Sequence, residues 1–191
     1  MKVNDGPPSA EKIASDARRS SSRGLPPVHL WNPPFQGDID MRIARDGTWY
    51  YEGSKIARPE LVRLFSTILR KDGEGYYLVT PAEKVGISVE DAPFVAVDVE
   101  AKGTGEDQSL TFLTNVGDRA TAGPEHPIRV ERDPDTDEPA PYIHVRANLE
   151  ALIDRKTFYR LVELGTEHDG WFGLWSGGRF FPVIPAAALP D

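Results

Sequence analysis

The sequence has no cysteine and no long apolar run among its 191 residues. Without cysteine there is no disulfide framework, no thiolate zinc site and no cysteine nucleophile, as is usual in a reducing compartment. No apolar run approaches the roughly 20 residues that a membrane-spanning helix needs, and the opening residues lack the apolar segment of a signal peptide. These absences predict a cytoplasmic protein without a membrane partner.

What the chain does contain is a mixed, acidic composition. Hydrophobic residues make up 39% of it, which is enough to build one large domain or two small ones. The formal net charge is −8. Nucleic-acid affinity rests on clustered lysine and arginine, so this acidity argues against a nucleic-acid partner. A small nucleotide held by two or three arginines stays compatible with it.

The first part of the sequence predicts a tail followed by an α+β domain. Residues 1–28 are rich in serine, proline and charge and are expected to form a flexible basic segment, with a short helix capped by Ser9. Residues 29–85 are expected to form the N-terminal domain. Its predicted parts are a hairpin around Asp46-Gly47 with Ile39, Met41 and Ile43 facing the core, a helix from Pro59 to Asp72, and a strand over 76–79.

The second part, residues 86–191, predicts a β-rich C-terminal domain with one helix. Asp154 is placed to cap that helix, which is expected to end near Gly170. The predicted strands are 94–100, 109–115, 128–132, 142–146, 171–175 and 179–183. The fold class is therefore α+β, with antiparallel strands packed by one helix in each domain.

The centre of the chain, residues 80–100, is expected to be the junction of two related halves. The helix start at Ile56-Ala57-Arg58 resembles that at Ile153-Asp154-Arg155, and Gly75-Tyr76-Tyr77 resembles Gly170-Trp171-Phe172 at nearly the same offset. These matches predict an internal duplication. Interfaces between domains are favoured places for small-ligand sites, so a ligand is expected at this junction.

Two features that suggest metal sites do not match the known patterns. The acidic loop 133–138 lacks the glycine and the final glutamate of a calcium-binding EF-hand loop, which favours a solvated loop. The four histidines lack the paired spacing of zinc sites and are expected to be satisfied structurally. No phosphate-binding loop and no nucleophile elbow is present. We therefore predict no metal and no cofactor.

Charged residues near the centre are the remaining candidates for a site. Lys84, Glu90, Asp91 and Asp98 lie in segments otherwise fit for burial, where ionised groups need a partner. Either these groups hydrogen-bond to turns and Asp98 faces water on a half-exposed strand, or Lys84, with arginines such as Arg42 and Arg129, receives an anion. The candidate ligand-binding residues are Asp40, Arg42, Lys84, Glu90, Asp91 and Arg129.

Several long strings resemble the bacterial family named domain of unknown function 1285. They are residues 37–43, 77–87, 90–97, 126–130 and 159–165, so the likeness covers roughly residues 28–183. The resemblance implies an α+β protein with a duplicated core and a C-terminal domain superficially similar to pleckstrin-homology folds. It also implies a nucleotide-like ligand at the domain interface and a signalling role.

The leading hypothesis is thus a non-enzymatic protein that binds a small anionic or nucleotide-like ligand. The first alternative is a hydrolase-type enzyme using Glu90 or Asp91 as general base, which requires a raised carboxylate pKa. The second is an adaptor that meets another protein through aromatics such as Trp171 and Trp175. A protein partner or a homo-oligomer stays open in all three.

Overall fold

The computed structural model describes residues 6–21 and 23–190, so that residues 1–5 and Ser22 of the predicted tail lie outside the described residues. The chain divides into two units between Glu90 and Asp91. The predicted boundary, between residues 85 and 86, falls inside strand Lys84–Val89. That strand belongs to the sheet of the first unit, so the division comes five residues later than predicted. Within the described ranges, no helix is long and apolar enough to cross a membrane.

The first unit is one six-stranded sheet with two helices. Its strand order is β3-β2-β1-β6-β5-β4, in which β1 and β6 run parallel and every other neighbouring pair is antiparallel. The elements are α1 Ala10–Ser20, β1 Phe35–Ile43, β2 Trp49–Tyr51, β3 Ser54–Lys55, α2 Pro59–Thr67, β4 Leu69–Asp72, β5 Gly75–Val79 and β6 Lys84–Val89.

The core of the first unit forms where the β1–β2 hairpin meets α2. Met41 and Ile43 are fully buried, as the alternation along β1 predicts, whereas Ile39 is half-buried. The Trp49 ring on β2 stacks on the Phe65 ring of α2, with 6.2 Å between centroids. Aromatic burial of this kind supplies a large part of a small domain's stabilisation.

The N-terminal segment is not a loose tail over residues 10–20, because α1 packs on the first unit. Ser9 caps the helix as predicted, its hydroxyl accepting a hydrogen bond from the Lys12 amide. Ile13 and Ala17 are fully buried, and the Lys12 ammonium lies 3.6 Å from the buried Glu83 carboxylate. Ile13 and Ala17 were predicted to share one side of this helix, but the serine- and proline-rich composition around it favoured a loose segment.

The helix after Pro59 is shorter than predicted, since it ends at Thr67 instead of continuing to Asp72. The hydroxyls of Ser66 and Thr67 bond to carbonyls three residues earlier, which competes with continued helix. Leu69 lies on strand β4 and is buried, as it would also be on a longer helix. Apolar spacing over so few residues does not distinguish the two.

The centre of the chain contains the junction of the two units and consists mostly of strands. Residues 84–89 form β6, an inner strand of the first sheet that lies between β1 and β5. Only a short bend separates it from β7, which begins at Phe94 in the second unit. The mixed charge and apolar content of this stretch is therefore that of two consecutive strands.

The second unit contains a six-stranded sheet, one helix and a separate three-stranded sheet. The larger sheet has the order β10-β11-β12-β7-β8-β9, with β7 and β12 parallel, and the smaller has the order β13-β14-β15. The elements are β7 Phe94–Lys102, β8 Ser109–Thr114, β9 Arg119–Thr121, β10 Ile128–Arg132, β11 Pro139–Arg146, β12 Leu149–Ile153, α3 Arg155–Glu163, β13 Thr166–His168, β14 Trp171–Ser176 and β15 Arg179–Pro185.

Helix α3 begins where the sequence predicts and ends earlier. The Asp154 carboxylate caps it by accepting a hydrogen bond of 2.8 Å from the Thr157 amide, and Leu161 is fully buried. The helix stops at Glu163, and Thr166–His168 form β13 instead of a last helical turn. The turn to β14 carries two residues with positive φ, Asp169 and Gly170, which lets β13 fold back on its neighbour.

The two large sheets share one topology, which confirms the predicted duplication. Each consists of two antiparallel meanders joined by a parallel pair, formed by the first strand of the first meander and the last strand of the second. The helices that suggested the repeat are not equivalent, however. Helix α2 connects the two meanders of its sheet, whereas α3 follows the second meander. The superficial likeness of the second unit to pleckstrin-homology folds stays a prediction.

Candidate functional site

Arg42 is the centre of a charged cluster in the first unit. It lies directly opposite Tyr50 in the β1–β2 pair, and its guanidinium carbon lies 4.3 Å from the centroid of the Tyr50 ring. Its Nη1 is 2.5 Å from Oε1 of Glu90, just after β6, while Oε2 of Glu90 accepts a hydrogen bond from the Arg45 amide. We call Arg42, Tyr50 and Glu90 the Arg42 cluster.

The electrostatics of this cluster favour an ionised Glu90. The backbone hydrogen bond from Arg45, together with the Arg42 guanidinium, holds the pKa of the Glu90 carboxyl below its ordinary value, although desolvation opposes this shift. A general base needs the opposite shift, towards neutral pH. This geometry therefore does not favour the hydrolase alternative at Glu90.

Arg129 is the centre of a similar cluster in the second unit. It lies opposite Tyr142 in the β10–β11 pair, with its guanidinium 4.6 Å from the ring centroid. The Tyr142 hydroxyl donates a hydrogen bond of 2.7 Å to Oδ1 of Asp91. The guanidinium itself makes two hydrogen bonds of 3.2 Å to Glu150 and a third contact to Glu131. We call Arg129, Tyr142 and Asp91 the Arg129 cluster.

Arg129 is a permanent cation whose charge is further stabilised by acidic neighbours. Desolvation by itself would lower the pKa of the guanidinium, but the Glu150 and Glu131 carboxylates outweigh it and raise that pKa. The charge is nevertheless open to solvent, since the Arg129 side chain is 45% exposed. A ligand that reaches this arginine therefore meets a permanent cation that already has partners.

Lys84 is separated from the Arg42 cluster although both lie on the same sheet. Its ammonium lies 3.3 Å from Asp72 and 4.3 Å from the centroid of the Tyr77 ring. Arg42 pairs with Ser88, four residues further along β6, so that the backbone positions of Arg42 and Lys84 lie roughly 13 Å apart along the strand. The structure thus does not bring Lys84 and Arg42 to one point.

Asp40 is exposed on β1, two residues before Arg42. Among the residues that the structure describes, no hydrogen bond or ion pair engages its carboxylate. It shares a side of the strand with Arg42 because side chains alternate along β-strands. Its role as a ligand contact stays a prediction.

The four charged residues of the centre that were singled out all have partners, although Glu90 and Asp98 are exposed and not buried. Lys84 pairs with Asp72, Glu90 with Arg42, and Asp91 with Tyr142. Asp98 pairs with Arg160 on α3, and that hydrogen bond lowers the pKa of the Asp98 carboxyl. Hydrogen bonds and ion pairs within each unit therefore satisfy these four groups, mostly through side chains distant in the sequence and not through turns.

A shallow groove of about 470 Å³ lies elsewhere in the second unit. The Asp98–Arg160 pair and the Glu100–Arg119 pair, whose N–O distance is 3.1 Å, provide its charged lining. Both of its arginines are therefore neutralised by carboxylates of β7. The groove has balanced charge and was not predicted from the sequence.

Family models match both units of the chain. Residues 26–92 match the model described as "Domain of unknown function (DUF1285), N-terminal domain", and residues 93–183 match "Protein of unknown function (DUF1285), C-terminal domain". The chain belongs to the DUF1285 family. The family junction after residue 92 agrees closely with the division after Glu90, and no curated protein matches the chain.

Two crystal structures of DUF1285 family proteins resemble this one. The protein from Silicibacter pomeroyi DSS-3 is 64% identical, with a TM-score of 0.86 over 92% of this chain and 96% of the other. The protein from Shewanella baltica OS155 is 27% identical, with a TM-score of 0.51 over 64% of this chain and 90% of the other. Neither description assigns a function, so the chemistry of this DUF1285 chain must be argued from its own residues.

Sequence reasoning missed the two tyrosines that support the arginines. Tyr50 and Tyr142 become visible as partners only when the strand register is known. For Tyr142 the signal was available: once the acidic loop 133–138 is taken as a hairpin turn, counting outward from it places Tyr142 opposite Arg129. This DUF1285 chain therefore has two arginines that each stack on a tyrosine ring of the neighbouring strand.

Of the two tryptophans that suggested an adaptor surface, Trp171 is exposed and Trp175 is partly covered. Trp171 is 42% exposed on β14. Trp175 instead packs against His168 and Phe180, with ring centroids 4.9 and 5.3 Å away. The adaptor alternative thus loses one of its two named contacts.

Proposed function

We propose that this DUF1285 protein is a non-enzymatic ligand-binding protein that receives a small anionic or nucleotide-like molecule in signalling. The observation that supports the proposal best is the Arg129 cluster. It combines a planar cation, an aromatic ring beneath that cation and a carboxylate fixed by the tyrosine hydroxyl. Guanidinium groups bind phosphate and carboxylate in two-pronged geometry, and stacked arginines are preorganised for it.

The existing ion pairs do not prevent such binding. Solvent-exposed arginine–carboxylate pairs contribute only about 0–1 kcal/mol, because water screens them and both side chains lose freedom. Glu131 is exposed, and Glu150 is intermediate. A phosphate that carries two charges and takes two hydrogen bonds from Arg129 can therefore displace Glu131 at little cost.

The Arg42 cluster of the first unit is a second, separate candidate for anion binding. Its arginine is also about half exposed and also lies on a tyrosine ring, but it has one carboxylate partner where Arg129 has two. Lys84 is less suited, because its side chain is mostly covered and its ammonium lies between Asp72 and two aromatic rings. The ligand location between the two domains, implied by the family resemblance, and the cytoplasmic location stay predictions.

A thermal-shift screen against nucleotides and small anions tests the proposal. A ligand present at about 100 times its Kd stabilises the folded state by about 2.7 kcal/mol, which gives a clear rise in Tm. We expect Arg129→Ala to abolish the rise. A rise that Arg42→Ala abolishes instead would assign the ligand to the Arg42 cluster of the first unit. Lys84→Ala should leave the rise unchanged, because Lys84 lies apart from the Arg42 cluster.

Arg119→Ala is the matched control. Arg119 is an exposed, carboxylate-paired arginine of the same unit, but it belongs to the charged groove and not to the Arg129 cluster. The control should keep the full shift. A shift that Arg119→Ala removes and Arg129→Ala retains would place the ligand in the groove, and the absence of any anion-dependent shift would overturn the proposal.

A further inference from the structure

Two of the four histidines meet in the second unit, although 17 residues separate them in the sequence. His126 lies in the loop before β10, and His144 lies on β11. The loop is held along β11 by a backbone hydrogen bond from the His144 amide to the Pro127 carbonyl. The two rings lie 5.4 Å apart between centroids, with their Nδ1 atoms separated by 3.3 Å.

The orientation of His144 is set by the turn that follows β11. Its Nε2 contacts the carbonyl oxygen of Ala147, which adopts a positive φ of 47° in that turn. A carbonyl only accepts hydrogen bonds, so Nε2 carries the proton of the neutral ring. The Nδ1 atom of His144 therefore presents its lone pair towards His126.

His126 has two possible arrangements at this point. With a proton on Nδ1 it donates to the His144 carbonyl oxygen, 3.1 Å away, and to the His144 ring nitrogen. With the proton on its Nε2, both Nδ1 lone pairs converge on the space between the rings. Both side chains are partly exposed, so water and ions can reach that space.

The separation of the two nitrogens suits a metal ion. Two metal–nitrogen bonds of about 2.0–2.1 Å at a tetrahedral angle hold their nitrogens about 3.3 Å apart. Metal-binding histidines also typically donate their other ring N–H to a carbonyl or carboxylate, as His144 does to Ala147. We propose that His126 and His144 bind a borderline divalent transition-metal ion, with Zn²⁺ as its probe.

The class of ion follows from the donors. Imidazole suits Zn²⁺, Ni²⁺ and Cu²⁺, whereas Ca²⁺ and Mg²⁺ prefer oxygen ligands. In the described residues, no third histidine, cysteine or acidic side chain completes the group. Water therefore fills the remaining positions, and the site is expected to be weaker than a structural zinc site with four protein ligands.

Isothermal titration calorimetry with Zn²⁺ tests the proposal. The protein is the full chain without a tag, treated with a chelator beforehand. The parent protein should bind one equivalent, and His126→Ala and His144→Ala should each weaken binding at least about tenfold. His29→Ala and His168→Ala are matched controls that should keep the parent affinity. Co²⁺ added to the parent should give absorption bands of a nitrogen-bound ion that both site variants lose.

Circular dichroism identifies any variant that fails to fold, and His126→Gln then replaces His126→Ala because it changes a loop residue conservatively. The proposal is overturned if the parent does not bind Zn²⁺. It is equally overturned if the His126→Ala/His144→Ala double variant binds with parent affinity, or if the His29 and His168 controls lose binding to the same extent.

Discussion

The two units carry the same six-stranded topology and differ in where the chain places its helices. In the first unit α2 connects the meanders and α1 adds a second helix; in the second unit α3 follows the sheet and leads into three further strands. Strand order is thus the repeated property, and helices are the variable one. A repeat search based on helices alone finds the duplication by aligning parts that are not equivalent.

The two arginine clusters also resemble each other without occupying equivalent positions in the two sheets. Both place an arginine opposite a tyrosine across an antiparallel pair, one on β1–β2 and the other on β10–β11. These strand pairs occupy different positions in the shared topology. The local construction therefore recurs because cross-strand neighbours on one sheet face lie close enough to stack, and not because the repeat copies it.

Breaking the helix–sheet contact of the first unit should have the largest effect. Phe65→Ala removes a fully buried ring that stacks on Trp49, which should lower the free energy of unfolding by roughly 3–5 kcal/mol. Urea denaturation measures the loss. Phe35→Ala is the matched control, because Phe35 is 55% exposed and its replacement should cost clearly less. Equal losses would show that α2 does not anchor this unit's core as described.

Replacing the residues at the starts of α2 and α3 should have an intermediate effect on the free energy of unfolding. Asp154 caps α3 with its carboxylate, whereas Arg58 at the start of α2 makes no capping bond and is followed by Pro59. Asp154→Ala should therefore cost about 1 kcal/mol, since an orphan amide loses its acceptor. Arg58→Ala should be nearly neutral in the same denaturation experiment. A comparable loss in both variants would contradict the assigned caps.

Sequence reasoning identified most strands and every long helix start, because these depend on local signals. The Asp46-Gly47 turn, Pro59, and the Asp154 cap each act within a few residues. It erred on β4 and β13, where buried residues following a helix fit either structure. It also missed β3, β6, β9 and β12 as strands, and at β6 the mixed charge drew attention to a junction instead.

The candidate site was less predictable because its contacts are long-range. The Arg42–Glu90 pair joins residues 48 apart, and the Tyr142–Asp91 bond joins residues 51 apart. Burial was the reason to expect partners for Glu90 and Asp91, but Glu90 is exposed, and burial cost does not name a partner. Only the strand register supplies Tyr50 and Tyr142, and so distinguishes the two arginine clusters from the distant Lys84.

Replacing Asp72, the ion-pair partner of Lys84, should have the smallest effect on stability. Hydrogen bonds from Arg70 and then Lys84 hold the pKa of the Asp72 carboxyl below its ordinary value, although partial burial opposes them. A lowered folded-state pKa stabilises the protein above the ordinary pKa of an unfolded aspartate, about 3.9. That stabilisation is lost as the pH falls through the folded-state pKa.

Asp72→Asn should therefore lower the urea midpoint slightly at pH 7, and the difference from the parent should shrink as the solution is acidified towards pH 2. The effect stays small because the side chain is 38% exposed and water screens its ion pairs. Asp40→Asn, whose carboxylate has no hydrogen-bond or ion-pair partner among the described residues, is the matched control. A difference that grows on acidification would mean that Asp72 does not stabilise the fold as a charged partner of Arg70 and Lys84.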